Sequence, residues 1–107
     1  MEKQIQEQID RIKDIITKTV LVEQIYLFGS YVYGAPHEDS DLDFYVVMKD
    51  DAPYRQLDAM RMIGSALWSY KSMPTDILVN KKSKFQDRAT APTLEQEVQE
   101  KGKLIYG

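Results

Sequence analysis

Near the middle of the chain stand seven residues, Leu42–Met48 or "LDFYVVM", that are apolar on both faces of an extended strand except for Asp43. A half-exposed strand alternates apolar with polar, whereas a near-continuous apolar run needs a layer packed on each side. This stretch therefore belongs at the centre of a sheet. Two aspartates, Asp41 and Asp43, open it, although acidic residues are poor strand formers and costly to bury. An earlier apolar run, Ile25–Phe28, stops at Gly29-Ser30, and ten residues separate Ser30 from Asp41.

The other elements follow from periodicity. Residues Glu2 to about Val20 read as an amphipathic helix, with Ile5, Ile9, Ile12, Ile16 and Val20 at three- and four-residue steps. Ala52-Pro53 reads as the start of a second helix whose inward positions are Leu57, Met60, Ile63, Leu67 and Trp68. Pro74 closes that region, and Ile77–Val79 forms a third strand. A short helix is expected over Lys82–Arg88. Another opens at Pro92-Thr93, where Thr93 and Gln96 have capping-box spacing and Leu94 and Val98 face inward. The closing "GKLIYG" reads as a tail or short strand.

The order α-β-β-α-β-α-α predicts an α/β (α+β) fold, a small mixed sheet with flanking helices, in one domain over residues 1–107. Only 13 residues separate Phe28 from Leu42, and Gly34 and Pro36 lie among them, so an antiparallel return is expected there. A whole helix separates the second strand from the third, which fits a parallel crossover. This topology brings Gly29-Ser30, Asp41, Asp43 and Asp76 to one edge of the sheet.

Composition narrows the partners. The formal net charge of −3 speaks against general electrostatic binding of nucleic acid. No apolar run reaches the roughly 18–20 residues of a membrane span. The polar beginning "MEKQIQEQIDRIKDI" carries no signal-peptide pattern, and zero cysteines exclude disulfides and thiolate metal sites. Together these favour a cytoplasmic location.

Asp41 and Asp43 leave one face of their strand with Cα atoms roughly 6.5–7 Å apart. Carboxylates that close repel unless a cation sits between them, and Mg²⁺ or Mn²⁺ suits ligands that are all oxygen. Asp76 supplies a third ligand or a base beside the metal. Such acidic sets serve two-metal displacement at phosphorus. Gly29 lets backbone approach a ligand closely, and "SYVYG" can form one helical turn with Ser30 at its start, offering N–H groups and a hydroxyl to phosphate. No P-loop or dinucleotide fingerprint occurs.

The spacing Gly29-Ser30, ten residues, Asp41-x-Asp43 matches the GS-x10-DxD signature of the polymerase-β-like nucleotidyltransferase superfamily. More narrowly, the chain resembles the minimal nucleotidyltransferases, to which Ser40, "TDILV" and "TLEQEVQEKGKLIYG" also conform. The resemblance implies that Gly29 and Ser30 hold the β- and γ-phosphates of an NTP, with ATP the expected donor. It implies that Asp41 and Asp43 bind the catalytic metals and that Asp76 activates the acceptor hydroxyl or completes a metal site. The implied reaction moves a nucleoside monophosphate to a hydroxyl and releases pyrophosphate. In the minimal group the protein is the antitoxin of a HEPN toxin and attaches AMP to it. One departure stands out: Val32 and Tyr33 occupy the turn where many members carry a small residue and a cation.

Plainer roles compete with these. Ser30 is equally a helix cap. The tyrosines of "YVYG" stack on a base or simply pack. His37, alone in a polar loop, is read as neither ligand nor acid–base group. Trp68 and the methionines are read as core, "NKKSK" as solvated surface, and Asp50-Asp51 as charges at a helix N-terminus. Two further functional readings remain: a non-catalytic module that neutralises a partner by occlusion, and a small-molecule nucleotidyltransferase whose homodimer forms the acceptor cleft.

Overall fold

A computed structural model describes residues 2–34, 36, 40–70 and 73–107. His37 lies outside the described residues, as do Glu38 and Asp39 of the polar loop. Four strands form one sheet in the order β3-β2-β1-β4, namely Thr75–Lys81, Leu42–Met48, Val22–Phe28 and Lys103–Tyr106. β1 runs antiparallel to β2 and to β4, and β2 runs parallel to β3. The expected return and crossover are both present, and β2 is central.

The two faces of β2 feed two cores. Leu42, Phe44, Val46 and Met48 join Ile9, Ile12 and Ile16 of α1 (Lys3–Thr19) and Ala59 and Ile63 of α3 (Gln56–Trp68). Tyr45 and Val47 face the other way, with Tyr26, Phe85 of α4 (Lys82–Arg88) and Val98 of α5 (Leu94–Lys101). Packing on both faces is what the unbroken apolar run of β2 requires.

Three expectations need correction. α3 starts at Gln56 rather than at Ala52-Pro53, because Asp58 accepts the N–H of Arg55 at 3.2 Å and so caps the helix there. Trp68 and Leu57, both expected to face inward, are not core: they are 87% and 62% exposed and lie on one stripe roughly three turns apart. The inward stripe is Ala59, Met60, Ile63 and Leu67. In α5, Thr93 caps the helix by accepting the N–H of Gln96 at 3.1 Å, yet Leu94 is exposed and Glu95 is buried in its place.

The segment "NKKSK" is also tied down rather than merely solvated. Lys81 donates to the carbonyl of Ala52, and Lys82 pairs with Glu23. Asp50 accepts from both the N–H and the hydroxyl of Ser83, at 2.9 and 2.8 Å. Asp50 thereby caps α4, a helix distant from it in sequence. This tether holds its carboxyl below the ordinary range.

Candidate active site

The site stands at one end of the sheet, on the face that α4 and α5 cover further along. Register decides its composition. Phe28 of β1 is opposite Asp43 of β2, and Asp43 is beside Asp76 of β3, so the three form one row across three strands. Gly29 follows at the end of β1, and Asp41 precedes β2 by one residue. The sequence-predicted residues Gly29, Asp41, Asp43 and Asp76 are thus brought together by strand pairing alone.

Gly29 has a specific reason to be glycine. Its φ is 82°, in the region that favours glycine, and a Cβ there would overlap the Oδ2 of Asp43. The chain then enters α2 (Ser30–Tyr33), a single turn in which Val32 and Tyr33 donate their N–H groups to the Gly29 carbonyl, each at 2.9 Å. The expected turn is present, with Gly29 at its cap position and Ser30 as its first residue.

Asp43 and Asp76 lie side by side in register, and the carboxyl of Asp43 is held above the usual range. Burial is the largest cause, followed by the charges of Asp76 and Asp41. Like charges directly opposite one another on a sheet destabilise it. The donor chemistry fits a hard divalent cation: all oxygen, closely spaced and mutually repelling. No three Asp, Glu, His or Cys side chains among the described residues are gathered as a ready coordination group.

The tyrosines of the turn divide. Tyr31 and Val32 pack against the α1 side of the core. Tyr33 is 41% exposed, and its phenol is pushed up by burial, then by Glu97, then by Asp43. Glu97, from α5, was not apparent as a neighbour of the site in the sequence. No local spacing connects α5 to the Gly-Ser turn, and only the packing of α5 on β1 brings them close.

Beneath the row lies a buried polar chain that periodicity also failed to reveal. Asn80 donates to the hydroxyl of Tyr45 at 2.8 Å, and that hydroxyl donates to Glu95 at 2.7 Å. Arg88 donates to the other oxygen of Glu95 at 2.9 Å. Burial drives the Tyr45 phenol well above its ordinary value. For Glu95, burial pushes the carboxyl up, but the hydrogen bonds from Tyr45 and Arg88 outweigh it and the net shift is downward.

Comparison with known proteins agrees with this geometry. Residues 10–107 match the family model described as "Polymerase beta, Nucleotidyltransferase". The chain belongs to this nucleotidyltransferase family. Its class of activity is nucleotidyl transfer. A search of curated proteins finds no match.

Solved structures share the fold. One is a toxin–antitoxin crystal structure with AMP-PNP, at 24% identity and TM-score 0.56, covering 92% of this chain and 72% of that one. A second is the toxin–antitoxin MntA-HpeT mutant with two aspartate-to-glutamate changes, at 23% identity and TM-score 0.57, with the same coverage. A third, described as a nucleotidyltransferase from Sulfolobus solfataricus, has 23% identity and TM-score 0.57, covering 82% of this chain and 81% of that one.

Proposed function

We propose that this chain is a minimal nucleotidyltransferase that transfers a nucleoside monophosphate, AMP from ATP, to a hydroxyl of a partner protein as the antitoxin of a HEPN toxin pair. The observation that carries the reading is the row Phe28–Asp43–Asp76 with Gly29 at its end. It assembles the GS-x10-DxD residues and Asp76 at one place. Two of the structures that share the fold are toxin–antitoxin complexes, one of them with AMP-PNP, which supports the choice of nucleotide and setting.

Asp41, Asp43 and Asp76 would hold Mg²⁺ or Mn²⁺, which when bound neutralises phosphate charge and polarises the α-phosphoryl group. Gly29 and Ser30 bind the terminal phosphates through the backbone of the α2 turn and the Ser30 hydroxyl. The acceptor oxygen forms its bond to the α-phosphorus as the bond from phosphorus to pyrophosphate breaks. Its proton passes to a carboxylate of the row, and Asp76 is that base unless it completes the metal site.

The test uses ATP labelled separately at the α- and γ-phosphates, with Mg²⁺, the protein and the product of the neighbouring gene. The α-label is expected on the partner and the γ-label is not. Asp41→Asn/Asp43→Asn should lower transfer by at least roughly 10²–10³-fold. Tight complex formation without α-label transfer from any NTP would overturn the reading.

A further inference from the structure

Two surface cavities among the described residues are lined by none of Asp41, Asp43 and Asp76. One, of about 410 Å³, lies behind the α2 turn against Glu2, Ile5, Tyr31, Val32, Pro36 and Lys103. The other, of about 260 Å³, follows α5 from Pro92 to Lys101. The sheet offers a docking surface of another kind at the site itself.

β3 is an edge strand whose outer side pairs with no strand among the described residues. It is seven residues long, holds an unbroken register with β2 from Thr75 to Lys81, and contains neither proline nor bulge. Natural edges are usually shortened, bulged or covered, because a flat one templates further strand pairing. The opposite edge obeys that rule: β4 has four residues, and its pairing with β1 is interrupted by a register shift. β3 does not. Ile77 and Leu78 remain half-buried although each packs against one of the two cores, so apolar surface at this edge is left for a further strand to cover.

We propose that the outer edge of β3 is the docking site for the acceptor, an extended polypeptide segment that adds to the sheet as a fifth strand and lays its hydroxyl side chain beside Asp76. The inference rests on the nucleotidyltransferase reading above and specifies its acceptor. An added strand lies about 4.8 Å from β3 and roughly 10 Å from β2. A side chain in register with Asp76, on the same face, then extends along the row towards Asp43. Charge also constrains the segment. Asp76 stands near the start of the edge with Asp43 beside it and Asp41 close by, whereas Lys81 and Lys82 at the far end are already engaged by the Ala52 carbonyl and Glu23. The matching segment therefore carries basic residues next to its hydroxyl.

The experiment keeps docking separate from chemistry. An oriented library of ten-residue peptides with a fixed central tyrosine is offered to the intact protein with Mg²⁺ and α-labelled ATP. The best peptide is then N-methylated one residue at a time. Peptide binding is read by fluorescence anisotropy, on wild type and on Asp41→Asn/Asp43→Asn, and transfer by label. Methylation at alternate positions should weaken binding to both proteins at least tenfold, with under twofold change at the positions between. The selected peptides should be basic around the tyrosine.

Binding indifferent to methylation, or equal labelling of free tyrosine, overturns strand addition while leaving the nucleotidyltransferase reading intact. Absence of any bound peptide also overturns it, as does a dimer paired through β3 that peptide does not dissociate. Alternating binding with no label transfer from any NTP keeps the docking edge and removes the catalytic reading instead.

Discussion

The two faces of the sheet are built on different principles. The face against α1 and α3 is apolar throughout, with Leu42, Phe44, Val46 and Met48 of β2 all at 0% exposure. The face against α4 and α5 carries Tyr26, Tyr45, Val47, Phe85 and Val98, but also the chain Asn80–Tyr45–Glu95–Arg88 and, at its open end, Asp43 and Asp76. One face supplies burial without direction. The other accepts polar groups, each of which needs a partner, and so fixes where α4 and α5 sit relative to the carboxylates. β2 serves both because alternate residues point to opposite sides.

The contrast can be broken in order of effect. Phe44→Ala, on the face opposite to the carboxylates, should cost about 3–5 kcal/mol in urea denaturation, the range for emptying a buried aromatic site. Glu95→Ala should cost about 2 kcal/mol, since it removes an acceptor from both Tyr45 and Arg88.

The Glu95 interaction also has a pH signature. Its folded carboxyl lies below the ordinary value, so the stabilisation is present above that value and is lost as pH falls through the folded one. Acid denaturation profiles of wild type and Glu95→Ala should therefore converge at low pH. Parallel curves across the whole range would assign the loss to packing.

Asp43→Asn works in the opposite direction. Removing one charge from a repelling cross-strand pair is worth roughly 0.2–1 kcal/mol. In chelator, Tm should therefore rise by about 1–5 °C, even as transfer is lost. A fall in Tm would mean that repulsion between Asp43 and Asp76 does not limit stability. Trp68→Ser should change stability by less than about 0.5 kcal/mol, because the side chain is 87% exposed.

Legibility differed between these regions for a physical reason. The apolar face declares itself through period: Ile9, Ile12 and Ile16 are the inward stripe of α1, and Leu42–Met48 is β2 to the residue. The carboxylates were legible because charges at the mouth of an apolar strand have a cost that packing alone does not explain. Trp68 was misread because size and apolarity make a tryptophan look like core, while helical phase places it with exposed Leu57. Glu95 was missed because a buried carboxylate depends on Tyr45 and Arg88, whose proximity no local pattern records. Asp50 belongs to the same class: its partner Ser83 is on another element.

What the sequence by itself determined is the set of elements, the centrality of β2 and the carboxylates and glycine that meet at one edge of the sheet. Those follow from apolar period, turn residues and the cost of charge, all of which are local. Tertiary structure alone decided that Asp43 lies in register with Asp76 and that Gly29 clears the Asp43 carboxylate. It also decided that α5 packs on β1 and that β3 presents its outer edge beside the site. Each of these depends on strand register and helix placement, where non-local packing overrides what any short stretch prefers.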